Sequence, residues 1–378
     1  MRKIQRQVIG GILSLCFAFG LGQAAWAQDV VFKPTIQVQQ KRQLAPGVTY
    51  FQVSGTTVGG SPLEIKVLEA ELTRSDVEVR PILANTGVTG REKLSSMGER
   101  TFAQGAINGS FFSTASPYLP VGNLVIDSKI QSVSDMLRTS MGIMENGGAK
   151  FGYFNPALHI KADNLEPIAI DKVNRIIGGK EVILYTPEWK PAVSAGAGCT
   201  LISLAPNGQG KLEVQETYGT ALTTPPNGYL IHLPVELAAS FEVGTIVAVN
   251  VESDSYWQNL KHLMTGGPLL VEQGEPVFQA VAEGFTGTVL KANPRTAIGV
   301  TKDGKMLLVT IDGRSTTSAG VTMEELAYIM KDLGAFEAMG LDGGGSTEMW
   351  AQGNIVNKLS EGTERPLNNG IIIVTGIP

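Results

Sequence analysis

From Val48 onward, apolar and polar residues alternate in short stretches. Val48–Phe51, Leu63–Leu72 and Val77–Leu83 read as strands, parted by the turn signals Gly59-Gly60-Ser61-Pro62 and Arg74-Ser75-Asp76. Residues 28–46 before them are polar, Gln-rich and without period, and are read as a loose lead-in. Residues 91–104 carry Leu94, Met97 and Phe102 at helical spacing, and 121–154 return to strand patterning around a turn at Asn146-Gly147-Gly148. Residues 200–252 are strand-like around Pro225-Pro226-Asn227-Gly228, and a last strand runs from Gly370 to Val374. These patterns predict a mixed α+β or α/β fold with a central mixed β-sheet. A β-rich section at 178–260 is read as a semi-independent insert within one domain, 47–378.

The densest signal lies at 305–350. Met306–Ile311 is an apolar run broken only by Thr310, and it ends at Asp312-Gly313-Arg314. A second run, Phe336–Leu341, ends at Asp342 followed by Gly343-Gly344-Gly345-Ser346. Between them Thr322 and Glu325 make a capping box, Val321 and Leu326 a hydrophobic staple, and Gly334 a helix stop. Strand, helix and strand predict a βαβ unit with parallel strands. Asp312 and Asp342 then stand at carboxyl ends in one sheet, where open sheets place their ligand crevices. Neighbouring strands lie roughly 4.8 Å apart, which puts the carboxylates on the order of 5–10 Å from each other. Such a pair suits work on a glycosidic bond or, equally, a divalent cation.

Composition narrows the setting. Arg2, Lys3 and Arg6, then the apolar stretch Val8–Leu21 and Ala25-Trp26-Ala27, read as a signal peptide cleaved after Ala27, with export to periplasm or medium. That stretch is too short for a membrane span. The chain's formal charge is −5, and −8 once those three basic residues are removed. An acidic exported chain is a poor partner for nucleic acid or anionic lipid. Cys199 is then the sole cysteine, so no internal disulfide forms, and it is read as a buried small residue.

Against that acidic background, Arg295, Arg314 and Arg365 each sit beside glycine or proline punctuation, as groups that grip a phosphate do. Gly343, Gly344 and Gly345 can turn amides toward one anion. Asn108-Gly109 precedes Phe111 and Phe112, which are read as core packing. His159, His232 and His262 show no metal spacing, and Ser346 has no sequence-near histidine to activate it. No Walker-type or dinucleotide motif occurs, and no cofactor is expected beyond the open question of a divalent ion.

AINGSFF (106–112), GNLVIDSKI (122–130), TGGPLL (265–270), NPRTAIGV (293–300), TIDGRS (310–315), LDGGGSTEMW (341–350) and ERPLNNGIIIV (364–374) resemble, in this order, the phosphodiester glycosidase family. The resemblance covers roughly 45–376, with LDGGGS and NPRTAIGV its most specific segments. It implies hydrolysis of a sugar-1-phosphodiester at the anomeric C–O bond, with an N-acetylglucosamine-like sugar and a phosphomonoester released. It also implies a site made of Asn108, Gly267, Arg295, Asp312, Arg314, Asp342, Gly343, Gly344, Gly345, Ser346 and Arg365, with Asp312 and Asp342 catalytic. Glu348 stands where small or hydroxyl residues are usual, and Pro366-Leu367 departs from the common continuation; both bear on sugar specificity. Two alternatives remain: an exported exopolysaccharide-binding or assembly protein, and a metal-dependent phosphodiesterase cleaving P–O.

Overall fold

A computed structural model describes residues 33–162, 165–217 and 221–376, and the expected signal segment lies outside them. The described residues form four β-sheets, two of eight strands and two of five. The first eight-stranded sheet orders its strands as Thr35–Ala45, Val48–Thr56, Pro62–Glu71, Lys305–Ile311, Arg295–Thr301, Ala335–Gly340, Leu269–Glu272 and Glu275–Pro276. Every pairing in it is antiparallel.

This corrects the mixed sheet and the βαβ unit. The strands leading to Asp312 and Asp342 do run in the same direction, with the helix Met323–Asp332 between them in sequence. The strand Arg295–Thr301 lies between them and is antiparallel to both. Two interstrand spacings, about 10 Å, therefore separate the two strands. The misreading has a physical cause. Met306 and Leu308 face one core, shared with Ile107, Met141, Ile371 and Ile373, while Leu307, Val309 and Ile311 face another, under the helix. A strand covered on both faces is apolar throughout, whether its neighbours are parallel or antiparallel.

The helix forms where its local signals place it. Glu325 N–H donates to Thr322 Oγ1 (3.1 Å), and Thr322 N–H donates back to Glu325 Oε2 (3.0 Å). Val321 and Leu326 are both buried, and Gly334 (φ 96°) takes the left-handed backbone that ends the helix. Leu326, Ala327, Ile329 and Met330 seal the sheet face beneath.

Three other expectations shift. Thr35–Ala45 is an edge strand paired antiparallel to Val48–Thr56, not a loose lead-in. Most of its residues are exposed, so no inward apolar row marks it in the sequence. The β-rich section begins at Ala157 rather than 178, because Ala157–Ala162 pairs with Ile246–Glu252 in the second eight-stranded sheet. The helix expected at 91–104 is confined to Leu94–Arg100, with Phe102 at φ 53° and fully outside the core.

One five-stranded sheet, ordered Asn354–Ile355, Met349–Ala351, Gly105–Asn108, Asn369–Thr375 and Val77–Leu83, brings the Asn108 segment beside the chain's last strand. The other supplies Leu260–Thr265, whose end leads into Gly266-Gly267. Several of the motif segments thus end close together, at strand termini from three sheets.

Candidate active site

Asn108 ties these strand ends together. It is fully buried, and its Nδ2 donates to Asp342 O (2.7 Å) while Oδ1 accepts from Thr296 Oγ1 (2.7 Å) and Glu348 N–H (3.1 Å). Asp342 N–H in turn donates to Gly109 O (3.2 Å). Asn108 is therefore a brace inside the protein, with both side-chain atoms engaged, rather than a free substrate contact. Ser110 continues the weave: its N–H donates to Asn369 Oδ1 and its hydroxyl to Thr265 O.

Asp342 is held by this brace but keeps part of its surface in the open. Its Oδ1 accepts the Gly343 N–H (2.9 Å). Loss of water around the carboxyl pushes its pKa up to about 6, against the opposing pull of Ser346, the Gly343 amide and the Arg365 charge.

The glycine run that follows is shaped by the arginines and by a main-chain carbonyl. Gly343 faces the Pro294 carbonyl, with a hypothetical Cβ 3.0 Å from Pro294 O and 3.9 Å from Arg295 Cδ. Gly344 (φ 63°) faces Arg314, its Cβ position 3.1 Å from Nη2. A Cβ on Gly345 would overlap the ends of Arg365 and Glu361. Gly344 and Gly345 thus let the Arg314 and Arg365 guanidinium groups lie against bare backbone, while Gly343 makes room for the Pro294 carbonyl.

The three arginines are not equivalent. Arg295, only 4% exposed, spends Nε on Val321 O (2.9 Å) and Nη2 on Val289 O (2.7 Å) and Lys291 O. It is first a staple for the loop ahead of its strand, with Nη1 left over. Burial, aided by the neighbouring Arg314 charge, lowers its pKa to about 10. Arg365 pairs with Glu361 and donates Nη1 to Ser346 Oγ (3.3 Å). Arg314, at φ 56°, donates Nη2 to Asn293 Oδ1 (2.9 Å) and has no carboxylate within 4.0 Å among the described residues. It carries an unpaired positive charge and, unlike the buried Arg295, does not spend it on main-chain carbonyls.

Asp312 lies deeper, 4% exposed. Its Oδ1 accepts the Lys358 N–H (3.1 Å), and desolvation raises its pKa to about 6 despite the nearby Lys66 charge. Asn357, beside it, donates to Thr347 O (3.0 Å) and accepts from Met349 N–H (2.7 Å), which connects Asp312 to the turn after Asp342. Ser346 is buried against Arg365, and no histidine bonds to it among the described residues.

Gly267 (φ 89°) stands apart from the arginines. It packs between Gly340 and a cluster of Glu283, Phe285 and Arg138. Arg138 lies over the rings of Phe111 (5.4 Å) and Phe285 (4.2 Å), so Phe111 has a charged neighbour as well as a core one. Sequence reading missed Arg138, Glu283, Asn357 and Glu361. Neither Arg138 nor Glu361 belongs to a motif of its own, and only their neighbours in space single them out. Glu348 was noticed only as a departure, yet it is fully buried in the middle of the site's frame.

His262 meets Glu78 (3.2 Å) and Asp127 (3.8 Å) away from these residues, a grouping no sequence spacing showed. Its Nδ1 accepts the Asp127 N–H (3.2 Å), which places the neutral ring's proton on Nε2, the atom facing Glu78. That atom donates and is not free to ligate a cation. Cys199 is half-buried rather than buried, with its thiol pKa raised by burial.

The architecture is shared with proteins of solved structure. A hypothetical protein from Synechocystis superposes with TM-score 0.75 at 24% identity, over 90% of this chain and 64% of its own length. A Burkholderia pseudomallei K96243 protein gives TM-score 0.72 at 20% identity, over 90% of this chain and 96% of that one. The catalytic domain of zebrafish N-acetylglucosamine-1-phosphodiester alpha-N-acetylglucosaminidase, auto-inhibited by its pro-peptide, gives 0.50 at 16% identity, over 91% and 89%. At these identities the likeness is one of fold. Among curated proteins, the SPbeta prophage-derived uncharacterized protein YomE of Bacillus subtilis is 37% identical over 81 residues, which is 21% of this chain and 13% of that protein. The model of the phosphodiester glycosidase family matches residues 203–374. That span contains every expected site residue except Asn108.

Proposed function

We propose that the protein is an exported hydrolase that cleaves the anomeric C–O bond of a sugar-1-phosphodiester. The observation that carries this reading is the glycine run after Asp342, where Gly344 lies against the Arg314 guanidinium and Gly345 against that of Arg365. A diester phosphate needs cationic and amide donors around it, and the attacked carbon needs a carboxylate alongside. Arg314, with Arg365, binds the phosphate in this scheme, and Arg295 holds the wall they stand on. Asp342, the more accessible acid, takes the proton of the attacking water. The water oxygen bonds to the anomeric carbon as the C–O bond breaks, and its electron pair leaves with the phosphate. A phosphate leaving group needs little protonation, so no strong acid is required. Asp312 supports Asp342 from below by fixing the Lys358 loop, a narrower role than the paired reacting carboxylates expected from sequence. The sugar class follows the family's, N-acetylglucosamine-like, and export rests on the N-terminal sequence alone.

Hydrolysis of an α-N-acetylglucosamine-1-phosphodiester in oxygen-18 water tests the scheme. Label in the sugar with unlabelled phosphomonoester is expected. Label in the phosphate instead would transfer the protein to the metal-dependent phosphodiesterases, and no product would leave the crevice a glycan-binding site. Arg314→Met is expected to raise KM about 10- to 100-fold, the worth of a charge-assisted hydrogen bond. Steady-state kinetics check it, and an unchanged KM would remove Arg314 from the phosphate.

A further inference from the structure

Glu348 is fully buried one turn beyond the glycine run, and its Oε1 accepts the Arg365 N–H at 2.6 Å. Its Oε2 is buried with no hydrogen-bond partner. Its own main chain is tied to Asn108 in both directions, Glu348 N–H to Oδ1 and Asn108 N–H to Glu348 O (each 3.1 Å). One carboxyl group thus joins the brace beneath Asp342 to the main chain of a phosphate-binding arginine.

The charged groups around it are Glu361, Glu364 and Arg365, all on the segment ahead of the final strand. Glu364 is itself fixed to Ser95 on the helix Leu94–Arg100, and Asn108 on the opposite side is uncharged. An ionised carboxylate here would sit among two other acids, half of it unsolvated and unbonded. The neutral acid avoids that penalty.

Resting on the crevice reading above, we propose that Glu348 is a positioning residue that works as an uncharged carboxylic acid, setting Arg365 against the substrate phosphate through the Arg365 amide. Ionising it places a negative charge under the anion site and draws the Arg365 guanidinium inward, away from the ligand. Burial pushes the Glu348 pKa up to about 8, so this loss falls on the alkaline side of neutrality.

Binding of inorganic phosphate to the full chain, measured by calorimetry at pH 7.5 and 9.5, tests it without requiring turnover. Phosphate loses part of its remaining acidic proton across that interval for wild type and variant alike, so the difference between the two proteins is the quantity read. Wild-type affinity is expected to fall about tenfold, Glu348→Gln to lose most of that pH dependence, and Glu348→Ala to bind weakly at both values. Equal pH dependence in wild type and Glu348→Gln would overturn the proposal. So would Glu348→Ala losing thermal stability while keeping wild-type affinity, the mark of a merely structural residue. A carbon-13 titration of glutamate carboxyls in the wild type reads the same group without mutation. One carboxyl titrating between pH 7 and 9 supports the proposal, and none doing so overturns it. Absence of phosphate binding by wild type at pH 7.5 would instead remove the crevice reading, and this proposal with it.

Discussion

Asp342→Asn is expected to lower kcat/KM on a sugar-1-phosphodiester by ~10³-fold or more while leaving the protein at least as stable as wild type. The loss follows from position: this is the accessible carboxylate beside the glycine run and the arginines. Stability moves the other way because its folded pKa, about 6, lies above the ordinary value of 3.8. For a carboxyl raised on folding, the favourable contribution is present below the unfolded pKa and is lost as pH climbs through the folded one. Above pH 6 the wild type therefore bears the cost of an ionised, poorly hydrated carboxylate. The rise corresponds to ~3 kcal/mol, and discounting for the accessible part of the side chain leaves ~1–2 kcal/mol. Asparagine keeps the acceptor for the Gly343 amide and removes the charge. A higher thermal midpoint at pH 7.5, with the difference fading toward pH 4, is the expected signature. The wild-type rate should rise as pH passes through about 6, when Asp342 ionises. Near-normal turnover in the variant would take Asp342 out of the chemistry.

Asn108→Ala is expected to lose both stability and activity. The substitution strands the Thr296 hydroxyl, the Glu348 N–H and the Asp342 carbonyl, and leaves a cavity in a site with no solvent access. Buried groups left unpaired cost about 1–3 kcal/mol each, but relaxation recovers part of it, so the total expected is ~3–5 kcal/mol. For a domain of this size that lowers the thermal midpoint by roughly 5 °C. Activity falls in the surviving folded protein because Asp342 loses the bond that holds its main chain. A thermal midpoint within a degree of wild type would show that Asn108 does not brace the site.

The two predictions mark different kinds of legibility. Asp342 announces itself through local chemistry: an apolar strand, an acid, and a glycine run directly after it. Asn108 reads as an Asn-Gly turn, and nothing nearby in sequence says that its side chain crosses to residues 296, 342 and 348. The same holds for Arg295. Its punctuation marks a loop arginine, yet whether that arginine faces a ligand or staples carbonyls depends on where residues 289, 291 and 321 lie.

What the amino-acid sequence determined by itself is the set of features that depend on neighbours within one or two turns. These are the capping box and staple of the helix, its glycine stop, the two apolar runs with their terminal acids, and the order of motifs that resembles the phosphodiester glycosidases. The tertiary structure alone decided strand neighbours, and so the antiparallel strand that separates Asp312 from Asp342. It also decided which acid is open and which is covered, and the burial of Glu348 beneath Arg365. A run of buried apolar residues reports that both faces are covered but not by what, because burial energy is non-directional. Hydrogen-bond partners and carboxyl desolvation come from residues far apart in the chain, and they exist only once the sheets have assembled.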